Sequence, residues 1–317
     1  VAALALGSPA WGTDDAEAPT AAGLLLIQVD GLGLSQLERA RSRGLMPNME
    51  RLGATEPYRL APVYSGVPSS TPAFQAELYY CQEGAVPAYS LVHRATNPVF
   101  RMSDREAAGA IEAGLAGRGL LGGGSSYSNI YRGGAAVTRF SMASLGWGDF
   151  FRASRPRHVQ IVVLAHGMDF VKTTFWSVWE LAIGLADLAR DVRAVQPLGE
   201  ELHFLQARVG VTVVLRDALV TLASIDISRG LPVIHLDLLG YDEWAHRRGP
   251  DSDEALRVLR GIDKAIGRLT RAARRSGRRH YDVWILSDHG QEPTEPYVET
   301  HGRPVSMAIG DVLRRHG

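Results

Sequence analysis

The sequence predicts an α/β fold, a three-layer α/β/α sandwich around a mostly parallel sheet that carries a cap or insertion. Two observations predict it. LLLIQV (24–29), HVQIVVLAH (158–166), PVIHLDLL (232–239) and YDVWILSD (281–288) are short apolar runs of strand length, rich in branched side chains, as suits strands buried on both faces. Between the last two, Leu256, Leu259, Ile262, Ile266 and Leu269 recur at helical spacing over about 252–276 and define an amphipathic helix. Strands of this kind alternating with helices build a parallel sheet covered on both sides.

In chain order, residues 1–22 read as a disordered lead-in or the remnant of an export signal or anchor. VAALALGSPAW (1–11) is too short to span a bilayer, and GTDDAEAPTAAG is small and polar like a linker. A single α/β domain is expected over 23–317. Its first strand ends at Asp30-Gly31, and a helix follows over 34–43, stopped by Gly44 and Pro47. Residues 82–157, rich in Gly and Ser, read as an insertion or cap outside the sheet. A long helix is expected around 174–194 and a helix or strand over 207–226. Asp251, Ser252 and Asp253 are capping candidates for the 252–276 helix, whose last turns are rich in Arg.

Composition narrows the function classes. Lys+Arg and Asp+Glu both count 34 in the 317 residues, so no global field argues for nucleic acid as the main partner. The single cysteine, Cys81, rules out an intrachain disulfide and reads as a small hydrophobe. No run reaches about 18 consecutive apolar residues, so a spanning helix is not expected. Phe175, Trp176 and Trp179 in TTFWSVWELAIGLADL (173–188) offer a peripheral membrane contact, against packing of that helix on the sheet. The arginines of 271–279 lack interleaved aromatics and read as a solvated helix end.

Ligand-type residues fall where a parallel sheet gathers its chemistry, at the C-terminal ends of strands. Asp30 ends the first strand, Asp288 and His289 end the last, and Asp242 lies just beyond the third. Asp242 and His246 stand at i and i+4 in DEWAH, so one helical turn brings a carboxylate and an imidazole together. Those donors suit zinc and also manganese. Each spacing alone has a bland reading: an ion pair on a helix, a cap by Asp288, a loop histidine at His301.

IQVDGLG, PSSTPAFQA, YDEWAHRRGPDS, SDHGQ and THG follow one another in this order between residues 24 and about 303. The series resembles the alkaline phosphatase superfamily, in its type I phosphodiesterase/nucleotide pyrophosphatase branch. The resemblance implies a phosphate-ester hydrolase with two divalent ions, usually zinc. One would be held by Asp30, Asp288, His289 and the nucleophile, the other by Asp242, His246 and His301. It also implies a Ser or Thr nucleophile opening a helix. The family's nucleophile-x-Pro spacing selects Ser70, with Thr71 the alternative.

The sulfatase pattern Cys-x-Pro-x-Arg is absent, and no Arg sits beside Ser70-Thr71-Pro72. That favours a diester over a monoester, unless Arg94, Arg101 or Arg132 arrives from the cap. The loop GGGSSYSNIYRGG (122–134) offers Asn129 and Ser125 as phosphate or substrate contacts, or is simply a flexible loop. The expected partner is a small-molecule or lipid phosphate ester. The alternatives are a phosphomonoesterase or head-group transferase with the same metals, and a non-catalytic module binding an anion. The sequence leaves oligomeric state open, and export or membrane association would depend on a segment upstream of Val1.

Overall fold

The computed structural model describes residues 3–6, 21–92, 99–143 and 210–316. The strand expected at 158–166, the helix expected at 174–194 and the aromatic group of 173–188 lie outside the described residues, as does Arg94.

A seven-stranded sheet organises the chain, in the order β3 (Ala61–Val63), β1 (Ala3–Leu6), β9 (Tyr281–Leu286), β2 (Gly23–Val29), β8 (Val233–Leu238), β6 (Ser125–Tyr127) and β7 (Val137–Arg139). The five strands from β9 to β7 run parallel, and β1 and β3 add an antiparallel edge. β4 (Ser90–Val92) and β5 (Val99–Arg101) form a separate antiparallel pair. This is the expected architecture, a mixed α/β fold with a mostly parallel sheet flanked by helices.

Two parts of the sheet come from stretches outside the expected strands. Ala3–Leu6, within the lead-in, pairs with β3 and β9. Ser125–Tyr127 and Val137–Arg139, within the Gly/Ser-rich segment, extend the parallel sheet beyond β8. Ser125 and Ser126 are buried because β8 already stands beside them, so neighbours rather than hydrophobicity recruit these residues.

The helices are α1 (Leu34–Ser42), α2 (Pro47–Thr55), α3 (Thr71–Tyr80), α4 (Arg105–Gly114), α5 (Arg216–Arg229), α6 (Gly240–Arg248), α7 (Asp253–Arg274), α8 (Tyr297–His301) and α9 (Val305–His316). A π-helical turn, Gly210–Leu215, leads into α5. α7 starts where the Ser252 hydroxyl accepts from Ala255 N–H at 3.2 Å. Its stripe Leu256, Leu259, Ile262, Ile266 and Leu269 is buried against the sheet and its neighbouring helices. Each such side chain contributes about 1.5–3 kcal/mol of burial free energy, and Leu259→Ala would cost about 2–5 kcal/mol. No helix among the described residues is long and apolar enough to cross a membrane.

The two faces of the central strands differ. Leu25, Ile27 and Val29 of β2, with Ile234, Leu236 and Leu238 of β8, join the main core against α5, α6 and α7. The alternate positions of the same strands carry Gln28, His235 and Asp237, all fully buried. Helix α3 lies over that second face, where Tyr79 meets His235 and Gln75 meets Gln28. One face of the sheet is thus an apolar core, and the other a buried polar layer that ends at the candidate site.

Candidate active site and metal centre

β2 lies between β8 and β9, so the turns leaving these three strands converge at one sheet edge. Asp30 stands directly after β2, and Asp288-His289 just after β9. One ligand atom from each of these three residues lies within 4.8 Å of the other two. The chain can turn this tightly because Gly31 takes φ +69°, where glycine carries no side-chain penalty, and its N–H donates to Asp288 Oδ1 at 3.3 Å.

His289 Nδ1 lies 3.2 Å from the carbonyl of Gly290. A carbonyl only accepts, so this contact calls for a proton on Nδ1 and leaves the Nε2 lone pair facing the carboxylates. Nε2 lies 3.6 Å from Asp30 Oδ1 and 3.7 Å from Asp288 Oδ2.

Helix α3 delivers the hydroxyl. Thr71 Oγ1 lies 3.3 Å from Asp30 Oδ1 and 3.3 Å from His289 Nε2. Ser70, one residue earlier, is the extended N-cap residue with φ −159°, and its Oγ is buried with no hydrogen-bond partner. Of the two neighbouring hydroxyls, Thr71 is the one brought against the Asp/His cluster.

Asp242 and His246 lie on α6, where Asp242 Oδ2 approaches His246 Nε2 at 3.2 Å. Gln291 donates to the other oxygen, Oδ1, and to the Asp242 carbonyl at 3.3 Å. Asp242 packs directly on Gly31, joining the second pair to the first cluster through backbone contact. The His246 side chain is 69% exposed. His301 sits at the end of α8, its ring stacked on Tyr297 at 4.0 Å and its Nδ1 3.3 Å from the Tyr297 carbonyl. Both contacts lie within its own turn of helix.

Asn129 and Ser125 are enclosed beneath the site. Asn129 accepts from Gln75 at 3.1 Å and donates to Ser126 Oγ at 2.9 Å and the His235 carbonyl at 3.4 Å. Ser125 is fully buried on β6. Arg132 bonds the buried Glu112 through Nε at 3.2 Å.

The electrostatics suit a cation. Burial, then the negative charges of Asp288, Asp237 and Asp242, hold the Asp30 carboxyl well above the usual carboxylate range. Burial and the charges of Asp288 and Asp242 do the same to Asp237. Asp242 goes the other way: burial opposes its ionisation, but the hydrogen bond and charge of His246, the charge of His289 and the Gln291 bond outweigh it. His246 is raised by that same Asp242 hydrogen bond. Asp288 Oδ2 is buried without a hydrogen-bond partner. Crowded carboxylates, an unprotonated imidazole nitrogen and an orphaned carboxylate oxygen form a donor set that fits a divalent cation.

The match to a family model decides the relationship. The type I phosphodiesterase / nucleotide pyrophosphatase model matches residues 24–307. The chain belongs to this family. It is therefore a member of the alkaline phosphatase superfamily and of a family of phosphoric ester hydrolases that act on phosphate esters or nucleotides. Members of the family are typically metal-dependent, and the Asp30–Asp288–His289 group could hold a metal. No curated protein matches the chain.

Four buried polar residues of the α3 layer escape a motif reading: Gln28, Gln75, His235 and Asp237. The signal was present, since VIHLDL alternates apolar and polar residues with the period of two that marks opposite strand faces.

Proposed function

We propose that the chain is a phosphodiesterase/nucleotide pyrophosphatase in which Thr71 is the nucleophile and two divalent ions, zinc or manganese, assist. The observation that carries this reading is the placement of Thr71 Oγ1, at the start of a helix and 3.3 Å from both Asp30 and His289. Asp30, Asp288 and His289 would hold the first ion. Asp242 and His246 would hold the second, with His301 as its third protein ligand. Bound there, the ions supply a lowered pKa for the nucleophilic hydroxyl and neutralise charge on the phosphoryl and leaving oxygens.

The protein's own groups do the rest. Asp30 and His289 fix the Thr71 oxygen. Ser70 makes no side-chain cap bond, so the Thr71 and Ala73 N–H groups at the start of α3 stay available to the phosphoryl oxygens. Thr71 attacks phosphorus in line and its P–O bond forms as the ester P–O bond breaks, releasing an alcohol or nucleotide product. Water then attacks the phosphothreonine, regenerating Thr71. Two in-line displacements retain configuration at phosphorus.

A diester is the favoured substrate. Thr71 is followed by Pro72, Ala73 and Phe74, and the Arg132 guanidinium is engaged by Glu112, so neither offers the clamp a dianionic monoester needs. The test is hydrolysis of bis-p-nitrophenyl phosphate and p-nitrophenyl phosphate by wild-type and Asp288→Asn proteins with zinc or manganese. The diester should be hydrolysed faster and the variant should lose most activity. Undiminished activity in Asp288→Asn would sink the metal assignment, and a monoester preference would sink the diesterase assignment.

A further inference from the structure

Beneath the Thr71–Asp30 contact, the same helix and strand meet a second time. Gln75 follows Thr71 by one helical turn on the same face of α3, and Gln28 precedes Asp30 by two residues on the same face of β2. Gln75 Nε2 donates to Gln28 Oε1 at 3.4 Å. Both side chains are fully buried.

The orientation of this contact is fixed by its surroundings. The Ile130 N–H can only donate, and it gives its hydrogen to Gln75 Oε1 at 2.8 Å. The Gln75 amide nitrogen must then face the other way, toward Gln28 Oε1 and toward Asn129 Oδ1 at 3.1 Å. Gln28 in turn points its own nitrogen at Asp237 Oδ2, 2.9 Å away on its register partner in β8. A single side chain on α3 is therefore bonded to β2 and to two residues of the loop after β6, and through β2 to β8.

We propose that Gln75 is a positioning residue for the nucleophile, setting the rotation and height of α3 so that Thr71 Oγ1 stays over Asp30. The inference rests on Thr71 being the attacking group. The two upper contacts, 3.3 Å from Thr71 Oγ1 to Asp30 and to His289, hold the oxygen only while α3 holds the Thr71 backbone in place. The helix end supplies no anchor of its own, since its N-cap makes no side-chain bond. Gln75 is inside the protein, where its bonds are shielded from water and directional. Its amide is spent on Gln28, Asn129 and Ile130 inside the protein, so its removal should slow the chemical step and leave binding intact.

Gln75→Met keeps the length and removes the hydrogen bonds, and Gln28→Met cuts the same contact from the other side. Steady-state kinetics on bis-p-nitrophenyl phosphate, melting curves, and intact-mass measurement of the phosphoryl-enzyme burst with peptide mapping give separate readouts. In wild type, the label should map to Thr71. In each variant kcat and the burst rate should fall by about tenfold to a hundredfold, with KM within about twofold. Both variants together should cost less than the product of the single effects, since they share the Gln75–Gln28 contact.

A folded Gln75→Met protein with an unchanged burst rate would overturn the proposal. If Gln75→Met does not fold, an unchanged burst in Gln28→Met overturns it. A loss confined to melting temperature, with kcat preserved below the transition, would make the network structural only. A wild-type label on Ser70 removes the Thr71 reading and this inference with it. A label on Thr71 combined with an unchanged Gln75→Met burst removes this inference alone.

Discussion

Asp242 fills the space that a side chain at position 31 would need. A Cβ built on Gly31 would stand 3.0 Å from both Cβ and Cγ of Asp242 and closer still to its Oδ1. Gly31 also sits at φ +69°, so the Asp30-Gly31 turn is glycine for two reasons, backbone conformation and contact with a carboxylate.

Gly31→Ala should therefore damage the site more than the fold. The left-handed conformation adds a strain of about 1–2 kcal/mol, visible as a modest fall in melting temperature. The methyl group displaces Asp242, so diesterase activity should drop by at least about tenfold in a protein that remains folded. A fall in melting temperature with full activity would show that the Asp242 position is not needed.

Thr71→Ala and Ser70→Ala separate the two adjacent hydroxyls. Loss of the nucleophile should lower kcat by about a thousandfold or more, while Ser70→Ala should stay within about threefold of wild type. Hydrolysis of bis-p-nitrophenyl phosphate measures both, and the reverse ranking would return the role to Ser70.

This pair also shows where sequence reading stops. β2, β8, β9 and α7 were legible because each buries a long apolar run or stripe, a signal contained within its own residues. The strand-end positions of Asp30 and Asp288-His289 follow from those runs. The choice between Ser70 and Thr71 is different: the residues are adjacent, and whether the helix starts before or after Ser70 decides which hydroxyl meets Asp30. β6 and β7 were hidden because their three-residue strands, with Ser and Thr in them, are recruited by a neighbour, β6 by β8 and β7 by β6, not by their own hydrophobicity. The polar layer of Gln28, His235 and Asp237 was hidden in plain alternation, masked by the apolar residues between them. His301 stacks on Tyr297 four residues earlier, a contact within one turn of α8, and the order of the motifs along the chain says nothing of that helix.

Asp263 gives a control in which stability and activity part. It is fully buried on α7 and accepts from Asn48 N–H at 2.9 Å, Asn48 Nδ2 at 2.7 Å and Met49 N–H at 2.9 Å, tying the first turn of α2 to the core. Asp263→Ala leaves these donors without an acceptor and should cost about 2–4 kcal/mol in urea denaturation. Below its transition the variant should retain wild-type kcat, because α2 carries none of the site residues. A large loss of kcat in folded protein would place α2 within the site's support.

The metal-free protein should lose stability as pH rises through neutrality. Burial and neighbouring carboxylates raise Asp30 and Asp237, and the Asp242 hydrogen bond raises His246. At a given pH near neutral, these groups bind more protons folded than unfolded, so the slope of unfolding free energy with pH is negative. The His246 contribution is complete below its ordinary value of 6.5 and is lost as pH rises through its elevated folded value. For Asp30 and Asp237 the cost of ionising buried carboxylates grows above their ordinary value of 3.8. Asp242 is depressed, so its contribution is present above that range and lost only toward acid, where it titrates through its lowered value.

In chelator, urea denaturation should show lower stability at about pH 8 than at about pH 6. Zinc or manganese reverses the trend. The cation meets ionised carboxylates and neutral imidazoles at the higher pH, so the stabilisation it adds should grow with pH. Asp30→Asn should flatten the metal-free slope. A metal-free protein whose stability rises over this interval would show that protons are not held at these groups, and the cation requirement inferred from their crowding would fail with it.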